Sequence, residues 1–166
     1  MMHIRLCNCR IKDLDNIYVL SLALAQYFPR PEQFVTGIHE LLLNAVEHGN
    51  LGIGFDEKTE LIRKGKWKQE IARRLDLPEN INKEVHVTLA YDQDECRLII
   101  ADQGSGFPWR EFVDRQQAGK KPNGRGLWIA LNSSFDQVQF NHAGNEVTCV
   151  ARYQSDRSTA AILSLS

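Results

Sequence analysis

The stretch Thr36 to Asn50, TGIHELLLNAVEHGN, constrains this chain most. Its apolar residues Ile38, Leu41, Leu42, Ala45 and Val46 fall at the i, i+3, i+4, i+7 spacing of a helix with one buried face. The spacing predicts a single helix of about four turns. Glu40, Asn44 and His48 follow each other at four-residue steps, so they stack along one edge of that helix. A carboxylate, an amide oxygen and an imidazole beside an apolar face can hold a metal and a water. Read alone, the stripe is more simply the solvated side of an amphipathic helix.

The 166 residues fit one domain with a full core. A formal net charge of −1, with 25% charged residues, gives no global basic field for nucleic acid or a membrane surface. No apolar run approaches the roughly 20 residues of a membrane span. The opening MMHIRLCNCR lacks the apolar core of a signal peptide, so a cytoplasmic protein is expected. The four cysteines, Cys7, Cys9, Cys96 and Cys149, form no CxxC pair. They read as small buried apolar residues in a reducing compartment, not as metal ligands.

Taken in order, residues 2–9 alternate as an opening strand. Ile11 to Phe28 has a helical apolar side and stops at Pro29 and Pro31. The central helix then runs into a glycine-rich turn at Gly49, Gly52 and Gly54. Asp56 to Leu75 reads as a charged helix with a sparse apolar stripe, most simply a solvated face. Glu84–Tyr91 and Glu95–Ala101 pair as strands, followed by a polar mobile loop over 109–123. Leu127 to Asn132 is a short apolar helix, and strands Phe135–Asn141 and Glu146–Tyr153 close the domain. Residues 1–154 are expected to form the domain and 155–166 a flexible tail. Adjacent strand pairs with helices before and between them predict an α+β fold. Its form is a two-layer sandwich, a mixed, mostly antiparallel sheet with helices on one face.

Three segments carry chemistry. Asp102-Gln103-Gly104-Ser105-Gly106-Phe107 ends a buried strand. An Asp there needs a partner, and its carboxylate can accept a hydrogen bond from an exocyclic amine such as that of adenine. Gly104 and Gly106 let the backbone turn sharply and a flat ring approach. Gly124-Arg125-Gly126-Leu127 opens a helix, where free N–H groups and the helix dipole favour an anion. Lys120, Lys121 and Arg125 add positive charge nearby. The third segment is the stripe of Glu40, Asn44 and His48. Several plainer motifs are excluded: HExxH fails at Leu43, and neither a P-loop nor a dinucleotide fingerprint occurs. His39-Glu40-Leu41 looks like a histidine-kinase phosphoacceptor box but lacks room for a dimerising hairpin ahead of it. His39 reads as a packed or surface histidine.

E-x3-N-A-x2-H-G on a helix, then D-x-G-x-G-F, then G-x-G-L, in this order, resembles the GHKL (histidine-kinase-like) ATPase superfamily over nearly the whole chain. Glu40 to Asn50 looks like its N-box, and Asp102 to Phe107 and Gly124 to Leu127 its two glycine boxes. Within it the chain is most similar to the anti-sigma-factor serine kinases, on ELLLNAVEHGNLGIGFDEK above all.

The resemblance implies an ATP-binding regulator that uses Mg²⁺ and transfers the γ-phosphate to a serine of an antagonist protein. A sigma factor or similar regulator would be a second partner, and a homodimer is compatible with it; nucleic acid and membrane are not expected. It implies Asn44 as the Mg²⁺ ligand and Glu40 as the general base. Asp102, Gly104 and Gly106 would take the base, Lys120, Gly124, Arg125, Gly126 and Leu127 the phosphates, and His48 the pocket lining. One departure is Gly144-Asn145, where the family often has Gly-Thr. Two other readings stay open: a nucleotide-binding switch without turnover, and a histidine kinase's catalytic domain.

Overall fold

The computed structural model describes residues 5–110 and 135–153. The strands are β1 (Arg5–Ile11), β2 (Val85–Tyr91), β3 (Glu95–Ala101), β4 (Gln137–Phe140) and β5 (Glu146–Arg152). They form one sheet in the order β1-β2-β3-β5-β4. Every pairing among them is antiparallel, so the expected mixed sheet is wholly antiparallel across the described residues. Short turns set two of the four pairings. Asp92 Oδ1 accepts the N–H groups of Asp94 (2.8 Å) and Glu95 (3.0 Å), folding β2 back on β3. Asn141 Oδ1 does the same for Gly144 (2.7 Å) and Asn145 (3.1 Å) between β4 and β5.

The helices are α1 (Ile17–Ala25), α2 (Val35–Asn44), α3 (Phe55–Arg63) and α4 (Trp67–Leu75). Alternate residues of the sheet, among them Val87, Leu89, Leu98, Ile100 and Cys149, are buried in one core with Ile38, Leu42 and Val46. Each such side chain contributes about 1.5–3 kcal/mol through burial. Neighbours in the strands, such as His86 and Arg97, are exposed. This alternation makes a sheet with one apolar and one wet face, as expected.

Several boundaries differ from the sequence reading. The opening strand extends to Ile11, and α1 begins only at Ile17. Asp13 caps the intervening turn through Asp15 N–H (2.9 Å), and Asn16 turns left-handed. The charged helix is two helices, broken at Gly65 with φ +66°. Cys96 and Cys149 are buried, and burial pushes both thiols up to about 12. Cys9 is half-buried and Cys7 is exposed, contrary to the expectation for that pair. Residues 1–4, 111–134 and 154–166 lie outside the described residues, and with them all but the first two residues of the loop expected over 109–123, the helix expected over Leu127 to Asn132 and the tail expected over 155–166. Among the described residues no helix is long and apolar enough to cross a membrane.

Candidate functional site

The central helix is not regular to its end. α2 stops at Asn44, and Ala45–Asn50 continue as a π-helical turn. Leu51 N–H bonds to Val46 O, five residues back, at 2.9 Å, and Ile53 N–H to Glu47 O at 2.9 Å. A wider turn shifts every side chain after Asn44 from the stripe that a 3.6-residue period gives. Glu47 is thereby fully buried, where its ammonium partner is Lys58 of α3. Burial raises its pKa, against the pull of Lys58 and then Trp67. π-turns of this kind are frequent at functional sites.

Four segments meet at this turn to line a cavity. Asn44, His48 and Gly49 come from the helix end, Phe55 from the start of α3, and Ile100, Asp102, Gly106 and Phe107 from the end of β3. Phe140 and Gly144 to Val147 come from the last hairpin. The enclosed space is about 30 Å³, room for a water or two. Phe55, Phe107 and Phe140 form its aromatic side.

The glycines explain how these segments approach so closely. A Cβ on Gly49 would lie 2.3 Å from Asp102 Cγ, and one on Gly104 2.2 Å from the carbonyl oxygen of Gly49. Gly106 has φ +85°, and a Cβ there would lie 1.9 Å from the Ala143 carbonyl oxygen. Asp102 anchors the corner through both its backbone and its side chain. Its N–H donates to Asn145 O at 2.9 Å, and its Oδ1 accepts Gly104 N–H at 2.8 Å. Burial pushes its carboxyl up to about 6, although the Gly104 bond and the charge of Lys83 act the other way.

His48 and Asn44 both line the cavity. Burial holds His48 down at about 4, so its ring is neutral at pH 7. It stacks on Phe55 with centroids 3.9 Å apart, and its Nδ1 is bonded to the Ile53 carbonyl. A carbonyl only accepts, so the proton sits on Nδ1. Among the described residues, the buried Asn44 Nδ2 has no hydrogen-bond partner. An amide left short of partners on a cavity wall suits a bound group that supplies them. No cluster of three or more His, Cys, Asp or Glu exists among the described residues. A cation here would therefore take few ligands from those residues and the rest from phosphate and water, the habit of Mg²⁺.

Glu40 is half-buried one turn before Asn44 and is not among the residues lining the cavity. The structure thus brings Asn44, His48, Asp102 and Gly106 together, with Gly104 bonded to Asp102, and leaves Glu40 at the margin. Lys120, Gly124, Arg125, Gly126 and Leu127 lie outside the described residues. His39 is packed, its ring edge-on to Tyr18 at 5.9 Å.

Sequence reading missed Phe55, Phe140 and the buried Glu47. It also gave no role to Asn50, whose Oδ1 accepts Gln103 N–H at 2.7 Å. The signal for Glu47 was the glycine-rich HGNLGIG, which marks an irregular helix end. Asn145 donates to Gly104 O at 3.2 Å, so it does hydrogen-bond into the Asp102 loop, as an Asn at that position can.

A comparison with curated proteins finds no match. The family model of the histidine kinase-like ATPase domain matches residues 29–151. That span holds the π-turn, the Asp102 loop and the closing hairpin that build the cavity. The chain belongs to the histidine kinase-like ATPase family, whose members bind ATP.

Proposed function

We propose that this ATP-binding domain is an anti-sigma-type regulator and a protein-serine kinase acting on an antagonist protein. The observation that carries the nucleotide-binding part of the reading is Asp102, a half-buried carboxylate on the cavity wall with Gly49 and Gly104 packed against it. Its free carboxylate capacity suits an exocyclic amine. Asn44 in the same cavity would hold Mg²⁺ through its amide oxygen. The ion, when bound, neutralises phosphate charge.

Glu40, one turn earlier and outside the cavity lining, is accessible to a hydroxyl brought by a protein substrate. The serine oxygen attacks the γ-phosphorus and its proton passes to Glu40. The bond from that phosphorus to the β–γ bridging oxygen breaks, and ADP leaves. Glu40 needs only hydrogen-bond reach to the hydroxyl to act as this base. Lys120, Gly124, Arg125, Gly126 and Leu127 would hold the phosphates, and a sigma factor or comparable regulator would be the target that this chain sequesters. The position of Glu40 at the margin also favours a second reading, a nucleotide-operated switch without turnover.

Phosphotransfer from radiolabelled ATP to the cognate antagonist separates the two. Glu40→Gln should lose about 10²–10⁴-fold in transfer rate while calorimetry finds ATP affinity nearly unchanged. The kinase reading fails if wild type binds Mg-ATP and transfers nothing, or if Glu40→Gln transfers as well as wild type.

A further inference from the structure

Lys83 lies in the connector between α4 and β2, half-buried. Its ammonium donates to the backbone oxygen of Asn50 at 3.1 Å and to Asn80 Oδ1 at 3.0 Å. Asn50 is the last residue of the π-turn, 2% exposed, and its side chain holds Gln103 N–H, next to Asp102. Asn80, 6% exposed, is itself held, because its Nδ2 donates to Arg74 O at 3.0 Å. The Arg74 guanidinium in turn donates to Leu51 O at 3.0 Å. Two cations thus cap successive carbonyls at the end of a helix, where its dipole favours positive charge.

We propose that Lys83 is a positioning residue for nucleotide binding: through Asn50 it fixes the Asp102 to Gly106 loop against the π-turn and gives that loop's carboxylate a cationic neighbour. This rests on the reading of Asp102 as the acceptor for the base's amine. It gives the charged excursion between Phe55 and Lys83 a purpose beyond a solvated face, since its far end sets the loop that the base meets.

The geometry fixes position, and the surrounding charges explain why a lysine does it. Among the described residues, the titratable groups about Asp102 are His48 and Glu146 on the cavity wall, Glu84 and His86 at the start of β2, and Lys83. Glu84 N–H donates to Gln103 Oε1 at 2.7 Å, which keeps its acid close to the same loop. His48 is neutral, so it offers no counter-charge. Of these groups Lys83 is the one whose charge favours ionised Asp102.

Two measurements on the full chain test this. One is the Asp102 carboxyl titration by ¹³C NMR without nucleotide. The other is Mg-ATP binding by calorimetry from about pH 5 to about pH 8. Lys83→Met should raise the Asp102 midpoint from about 6 by about half to one pH unit. It should also weaken ATP binding at pH 7 by up to about twofold. Lys83→Arg should return both to near wild type. Lys83→Gln, which keeps a donor for Asn50 without the charge, supplies the same comparison if the Met variant does not fold. An unshifted Asp102 midpoint in the uncharged variants, with only thermal stability lost, overturns the proposal and leaves the reading of Asp102 standing. Wild-type ATP affinity in Asp102→Asn overturns that reading and the positioning role with it.

Discussion

Asp102 and Glu70 are both acids in hydrogen-bonded settings, and they show opposite electrostatics. Glu70 on α4 meets two guanidinium groups: Arg73 Nη2 at 2.7 Å and Arg74 Nε at 2.7 Å. The Arg73 bond first, then the Arg74 bond, holds it down at about 2. Asp102 receives one backbone N–H and the more distant charge of Lys83, and burial pushes it up to about 6. Water and arginines make charge cheap on the α3–α4 face. At the end of β3 the charge is kept where the fold alone would favour a neutral residue. A carboxylate held at such a cost, on a cavity wall, is what a ligand's donor can relieve.

The comparison can be broken in three places, the largest effect first. Gly106→Ala sets a Cβ against the Ala143 carbonyl at a φ of +85°. It should cost about 3 kcal/mol or more, seen as a large drop in the denaturation midpoint. A small drop would mean that the loop relaxes freely and that the Asp102 corner is not tightly built.

Asp102→Asn tests the cost of the charge. With the folded pKa raised from 3.8 to about 6, Asp102 stabilises the fold fully below about pH 4 and loses that contribution as pH rises through about 6. Relative to wild type, the Asn variant should therefore gain stability over that window. The gain should be about 1–2 kcal/mol, discounted for the partial exposure of the carboxyl. Its ATP binding should be lost over the same range. Urea melts at pH 4 and pH 7 check the first part, and a difference that does not change with pH would refute the burial argument.

Glu70→Gln should have the smallest effect, with a thermal midpoint indistinguishable from wild type at pH 7 and insensitive to added salt. Surface ion pairs contribute little once solvent screens them. A clear loss would show that the α3–α4 surface is held by its charges and not by Ile71 and the Arg74 contact with Leu51.

Much of the site was legible because its residues have local requirements. An Asp at a strand end needs an acceptor role, and DxGxG needs glycines that let the chain turn. These constraints show in a few consecutive letters. The helix stripe was legible only in part. Its expected alignment assumed a uniform 3.6-residue period, and the π-turn after Asn44 breaks it. Asn44 and His48 still reach the cavity, Glu40 does not line it, and Glu47 turns inward to Lys58. The glycine-rich HGNLGIG marks an irregular helix end, but not which side chains the wider turn carries inward.

By itself, the sequence determined the α+β class, the strand pairs, the apolar face of α2 and the candidate reader Asp102. Each follows from periodicity or from the chemistry of a residue at the end of an element. Only the tertiary structure decided which side chains share the cavity, that His48 is neutral, and that Lys83 and Asn50 serve the Asp102 loop. Those properties depend on burial and on contacts such as Lys83–Asn50 and Asn50–Gln103. These contacts join residues dozens of positions apart, and their strength comes from the absence of water, which a linear pattern does not encode.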